Sequence, residues 1–293
     1  MKSSRASDTA RLIARSIVLA SHDRRLRALV PPGAAEISRK ILTTDGQKDR
    51  LVPYLKFASV RAGLLFLERR LLPGIITHYL VRKLQIEKQV EKAIEHGCKR
   101  VIVLGAGYDT LVWRLHEKHP DVEFVELDHP ATQELKKRVL HGAANVSYMP
   151  IDLAAELPSA VVADKSEPTV FVAEGLTMYL RTERVAELMK DIKSLTGDGG
   201  SVVFTLMEKG EDSSISFRGE SPLIGRWLQA RSEPFLWGIS REDLPHFLES
   251  NGWILTELID HVVLRREYLI PNGLEKLPLA EGEVVCIATP IPK

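Results

Sequence analysis

The stretch Lys99-Arg-Val-Ile-Val-Leu-Gly-Ala-Gly-Tyr-Asp-Thr110 leaves the chain few folds to choose from. Val101 to Leu104 form a branched apolar run that suits a parallel strand buried on both faces, and Gly105-Ala106-Gly107 ends it at once. Asp109 and Thr110 can cap a following helix, in which Leu111, Val112 and Leu115 mark an apolar face opposite Arg114 and Glu117. Strand, glycine turn and helix together open a nucleotide-binding α/β sheet. Glycine lets a ligand approach where a Cβ would stand, and the helix N-terminus offers free N–H groups.

Spacing narrows the nucleotide. A dinucleotide fingerprint places a third glycine where this chain has Thr110, which disfavours NAD, and no Gly-Lys-Ser/Thr follows the turn, which disfavours a phosphate-gripping loop. A second strand, Glu123-Phe-Val-Glu-Leu-Asp128, ends in an acid 23 residues past Gly105 (128 − 105). An acid on ribose hydroxyls is expected at roughly 20 residues. The pattern therefore predicts a nucleoside without a pyrophosphate, held by Gly105, Ala106, Gly107 and Asp128, with Glu126 as a second choice of acid.

Three segments in order, Val103-Leu-Gly-Ala-Gly-Tyr-Asp-Thr110, Phe124-Val-Glu-Leu-Asp-His-Pro130 and Ala173-Glu-Gly-Leu-Thr-Met-Tyr-Leu180, resemble the signatures of the leucine carboxyl methyltransferase family. That family comprises class I S-adenosylmethionine-dependent methyltransferases. The resemblance runs over about Thr77 to Leu180, and Glu233-Pro-Phe-Leu-Trp-Gly-Ile239 with Leu248 to Trp253 is similar to the family's late segment. Roughly the first seventy residues carry no recognisable family motif. The resemblance implies a Rossmann-like α/β sheet of seven strands, mostly parallel with an antiparallel last strand. It also implies S-adenosylmethionine as cofactor. Asp152 and Leu153 are then placed at the adenine, Glu174 at the methionine ammonium and Arg82, with Lys83 beside it, at the methionine carboxylate. Tyr179 is the candidate side chain nearest the reacting centre.

Each assignment has a plainer rival. The glycines can serve a tight turn alone, Asp128 and Glu174 can cap helices, Asp152 can make an ordinary turn, and Arg82 can be a solvated helix residue. Tyr179 can simply pack. His116 and His119 lack a third metal ligand, so no metal is expected, and His129 has no assigned chemistry.

Bulk properties fit a soluble enzyme of a reducing cytoplasm, and the resemblance implies a small molecule or a peptide terminus as its acceptor. Lys plus Arg number 40 against 39 Asp plus Glu, a net +1, which gives no global reason to expect nucleic acid. Arg11, Arg15, Arg24, Arg25 and Arg27 nevertheless make the first thirty residues basic. Cys98 and Cys286 form no disulfide or zinc pattern, no apolar run reaches membrane-spanning length, and Asp8 and Arg15 interrupt any secretory signal. Oligomeric state is not encoded in any recognisable pattern.

Helical periodicity predicts helices over Thr9–Val30, Ala34–Leu42 (stopping near Asp45-Gly46), one or two within Leu51–Leu72, and one long helix over Gly74–His96. Residues 1–74 are expected to form a helical cap, and 75–293 the cofactor domain with a lid insertion at about 207–239. After Asp128 the reading gives a helix at Pro130–Leu140, strands at Asn145–Pro150, Thr169–Ala173 and Ser201–Leu206, and a helix at Arg184–Leu195. Another helix follows at Arg241–Asn251, before a final antiparallel pair, Trp253–Leu258 and Val284–Thr289.

The chemistry follows from the acceptor. An ionised carboxylate needs no base, whereas a phenol near pKa 10 needs one. The motifs offer no obvious Lys or His base, so carboxyl O-methylation leads, with hydroxyl O-methylation second. A catalytically idle nucleoside-binding scaffold and an NAD oxidoreductase complete the alternatives.

Overall fold

Arg100 to Leu104 are wholly buried because their side chains alternate between two cores, Val101 and Val103 facing one and Ile102 and Leu104 the other. This strand, β1 (Arg100–Leu104), sits in the middle of a seven-stranded sheet with β2 (Glu123–Asp128), β3 (Val146–Pro150), β4 (Thr169–Ala173), β5 (Ser201–Met207), β6 (Trp253–Ile259) and β7 (Glu283–Pro290). The strand order is β3-β2-β1-β4-β5-β7-β6. Only β7 runs against its neighbours, pairing antiparallel with both β5 and β6, as expected for the final pair. The computed structural model describes residues 8–44, 49–163, 167–210, 212–231 and 233–292.

Helices cover both faces. On the Val101 side lie α1 (Asp8–His22), α2 (Ala34–Thr43), α4 (Ile75–Glu95), α5 (Leu111–Leu115) and α6 (Pro130–Val139). On the other lie α7 (Thr182–Leu195) and α9 (Asp243–Ser250). Strand order reverses between β1 and β4, and such a switch point opens a ligand crevice at the strands' carboxyl ends.

Several expectations change. The first helix stops at His22 instead of reaching Val30, because the Asp23 carboxylate accepts the N–H groups of Arg25 at 2.9 Å and Leu26 at 3.2 Å and turns the chain. The stop expected at Asp45-Gly46 lies outside the described residues. Helix α3 (Ala58–Leu71) forms, yet buries none of its residues, and Phe66 is 62% exposed. Arg114 is not on a solvated face: it is buried and paired with Glu87 of α4. The long segment after β5 contains a helix, α8 (Pro222–Ala230), and a short α10 (His261–Leu264) precedes β7.

Glu126 is not a spare ribose acid. It lies on β2 facing α6, where Lys136 meets it at 2.7 Å and both side chains are at most 2% exposed. Burial pushes the Glu126 carboxyl up to about 7 even with Lys136 opposing it. Lys136→Met is expected to destabilise the chain by about 3–5 kcal/mol at pH 8, because it strands a buried acid. A raised carboxyl pKa costs stability increasingly as pH climbs from the unfolded value near 4.3 to the folded value, so the deficit should shrink at pH 5. Urea titrations of the variant and wild type at the two pH values check this. Equal deficits would show that the pair carries no such linkage.

Candidate active site

The tips of β1, β2 and β4 frame a cavity of about 380 Å³, within the usual range for a cofactor-sized ligand. Every site residue expected from sequence lines it: Arg82, Gly105, Ala106, Gly107, Asp128, Asp152, Leu153, Glu174 and Tyr179. Glu126 does not.

Gly105 and Gly107 hold φ of +64° and +48°, the left-handed region that side chains avoid. A Cβ on Gly105 would come within 3.0 Å of Leu176, and one on Gly107 within 3.3 Å of Ala10 on α1. The loop is tied to β2 by the N–H groups of Gly105 and Ala106 on the Leu127 carbonyl, at 2.8 and 3.1 Å. Asp128 completes the tie by accepting the Gly107 N–H on one carboxylate oxygen and the His129 N–H on the other, the latter at 2.6 Å. Burial raises the Asp128 carboxyl while those two N–H groups oppose the shift. Its rival role as helix cap falls to His129, whose Nδ1 accepts the Ala131 N–H at 3.3 Å.

Arg82 and Lys83 are both buried on α4 and put two cations in the cavity wall. Arg82 Nε donates to Glu174 Oε1 at 2.9 Å, its Nη2 lies 2.7 Å from the same oxygen, and its Nη1 donates to Glu283 Oε2 at 2.5 Å. These contacts leave part of the guanidinium's donor set free for a ligand carboxylate. Lys83 Nζ bridges Asp109 at 2.8 Å and Glu174 at 3.1 Å. His78 Nε2 lies 2.8 Å from Glu283 Oε2. Despite burial, which acts the other way, Arg82 and His78 hold Glu283 down to about 2, and Lys83 likewise keeps Asp109 below the ordinary carboxylate range.

Glu283 and Asp109 are members of this charge cluster that motif reading missed. Asp109 looked like a helix cap, and its Oδ1 does accept the Thr110 N–H at 2.6 Å, but the same oxygen holds Lys83. Glu283 opens β7, about two hundred residues from α4. The one signal for it is an acid at the head of an otherwise apolar strand.

The cavity wall is completed by segments from far apart in the chain. Thr9, Ala10 and Ile13 of α1 face Tyr179, Glu233, Pro234 and Leu236. Thr9 Oγ1 donates to Glu233 Oε2 at 2.5 Å, and Arg231 lies 3.3 Å from Asp8. Burial raises the Tyr179 phenol above its ordinary range. Among the described residues no group of three or more His, Cys, Asp or Glu is placed to hold a metal ion.

The model of a family described as leucine carboxyl methyltransferase matches residues 23–193, more than half of the chain. The chain belongs to that family. The match begins some fifty residues upstream of Thr77, so the resemblance reaches into the helices that carried no visible motif, and it stops before the Glu233–Ile239 segment. Bacillus subtilis YktD, whose name assigns it to the S-adenosyl-L-methionine-dependent methyltransferases, is 28% identical over 189 residues, 61% of this chain and 61% of that protein. A Mycobacterium tuberculosis relative named in the same way is 29% identical over 194 residues, 62% of this chain and 59% of the relative. The chain thus spans about three fifths of the length of these relatives. The fold is shared with a Thermobifida fusca protein whose crystal structure is titled as a methyltransferase, at TM-score 0.57 and 14% identity, covering 87% of this chain and 94% of that one. The leucine carboxyl methyltransferases use S-adenosylmethionine, and the residues present fit it. Glycines leave room against the backbone, acids stand at the ends of β2 and β4, and Arg82 and Glu174 set opposite charges side by side in the wall.

Proposed function

We propose that this family member transfers a methyl group from S-adenosylmethionine to an oxygen of a small molecule or peptide terminus, a carboxylate first. The observation that carries the reading is one cavity lined at once by the glycine loop, Asp128, the Arg82–Glu174 pair, α1 and Glu233. In this reading Asp128 accepts from the ribose, Asp152 from the adenine amine with Leu153 against the ring, Glu174 from the ammonium, and Arg82 donates to the carboxylate.

When bound, the cofactor supplies an electrophilic sulfonium methyl. The chain's own work is then to hold the acceptor oxygen in line with that methyl and to keep water away. Ile13, Tyr179, Pro234 and Leu236 give the acceptor compartment an apolar wall suited to both tasks. A carboxylate acceptor needs no proton taken from it, which suits a compartment whose tyrosine stays protonated. A hydroxyl acceptor is the second reading, favoured by Glu233, a carboxylate on the acceptor side with Thr9 as its hydrogen-bond donor. Residues 1–74 and about 207–239 are read as cap and lid because α1 and the Glu233 segment both reach the cavity. A reducing cytoplasm suits Cys98 and Cys286, which are free and buried. Among the described residues no helix is long and apolar enough to cross a membrane.

Calorimetry with S-adenosylmethionine, followed by mass spectrometry of acceptors from a cell extract, tests the reading. The expected product gains one methyl and releases methanol in mild base. A base-stable product would replace the ester by an ether, and absent cofactor binding would leave a scaffold.

A further inference from the structure

Tyr108, between Gly107 and Asp109, has no place in the site drawn so far. It is 3% exposed, it lines the cavity, and its hydroxyl has no hydrogen-bond partner among the described residues. A phenol of this kind is costly to bury unpaired and is normally retained where a ligand or an ordered water satisfies it. Phenylalanine would fill the same space without that cost.

The surroundings say which part of a ligand the hydroxyl meets. On the sheet side the charge facing it is Asp128, whose carboxylate already receives the neighbouring Gly107 N–H. From α1, Arg11 and Asp8 are the charges that act on it, while Ala10 of the same helix stands against the neighbouring Gly107. The adenine corner at Asp152 and the amino-acid corner at Glu174 belong to the ends of β3 and β4, on either side of this position.

We propose that the Tyr108 hydroxyl is a hydrogen-bond partner of the cofactor's ribose, sharing the sugar with Asp128, so that the cavity selects a ribonucleoside over a deoxyribonucleoside. The carboxylate accepts from one ribose hydroxyl while the phenol donates to, or accepts from, the other. The proposal rests on the reading that this cavity takes S-adenosylmethionine.

The test is calorimetry of wild type and Tyr108→Phe with S-adenosylhomocysteine and with its 2′-deoxy and 3′-deoxy analogues, alongside thermal unfolding of both ligand-free proteins. Tyr108→Phe is expected to bind S-adenosylhomocysteine about tenfold more weakly. It should lose most of the wild type's discrimination against one of the two deoxy analogues. Its ligand-free unfolding midpoint should equal or exceed that of wild type, because an unpaired buried hydroxyl has been removed. Equal affinity of the two proteins for S-adenosylhomocysteine would overturn the proposal. So would undiminished discrimination against both analogues, or a lowered midpoint, which would mark the hydroxyl as structural. Failure of wild type itself to bind S-adenosylhomocysteine would overturn the methyltransferase reading, and this proposal with it.

Discussion

Arg82→Met is expected to reduce S-adenosylmethionine affinity more than 100-fold and to destabilise the ligand-free protein by about 3–5 kcal/mol. The first effect follows from losing a guanidinium that can donate twice to the cofactor's carboxylate, at about 1.5–3 kcal/mol per hydrogen bond to a charged group. The second follows from stranding Glu283, which is 1% exposed and loses its one guanidinium partner, keeping His78 and the Thr205 hydroxyl, whereas Glu174 still has the Lys83 ammonium. The two effects separate in a double variant. Arg82→Met with Glu283→Gln should regain much of the stability and none of the affinity, as read by urea unfolding and calorimetry. Acid behaviour should change as well. A carboxylate held near 2 gives stability that is fully present above the unfolded value of about 4.3 and is lost as pH falls through 2, so wild type should weaken over that window. In Arg82→Met that acid-side loss should largely vanish. Unaltered affinity would remove Arg82 from the binding site.

Asp128→Ala is the second large effect. It takes away the proposed ribose acceptor and also leaves the Gly107 and His129 N–H groups without their acceptor, at about 1–3 kcal/mol for each buried group left unpaired. An affinity loss of about 100-fold is expected, with a lowered thermal midpoint. Asp128→Asn, which keeps one acceptor oxygen, should fall between. Asp152→Ala should cost less stability, because Asp152 is only half-buried and its side chain caps a turn through Ala154 at 3.0 Å. If Asp128→Ala binds S-adenosylmethionine as tightly as wild type does, the nucleoside does not lie where β2 ends.

Where the chain encodes its fold locally, the sequence was readable. β1 and β4 are apolar runs and β2 mixes apolar residues with acids, each ended by a glycine or an acid, and all three were placed by that grammar. The helix at Ile75–Glu95 announced itself through Gly74 and Gly97 at its ends. Of the cavity-lining residues, Gly105, Gly107 and Asp128 were readable for the same reason, since each sits at a strand end, whereas Arg82, Asp152, Leu153 and Glu174 came from the family resemblance. What stayed hidden depends on distance in sequence. Nothing near Arg82 reveals Glu283, and nothing near Thr9 reveals Glu233. Arg114 read as a solvated charge because a lone cation in a helix looks alike whether it faces water or a buried acid, here Glu87. The exposed apolar residues of α3 misled in the other direction, since periodicity marks an apolar face without saying that anything covers it.

The contacts that join the two ends of the roof differ in kind from those in the floor. Below, buried charges interlock and resist rearrangement. Above, Asp8 and Arg231 are 48% and 35% exposed in their side chains, and such pairs contribute about 0–1 kcal/mol. In the proposed reading, a nucleoside that enters by parting this contact would break an exposed pair and the Thr9–Glu233 hydrogen bond while leaving the buried charges in place. Dissolved salt, which weakens exposed pairs first, is then expected to quicken its exchange.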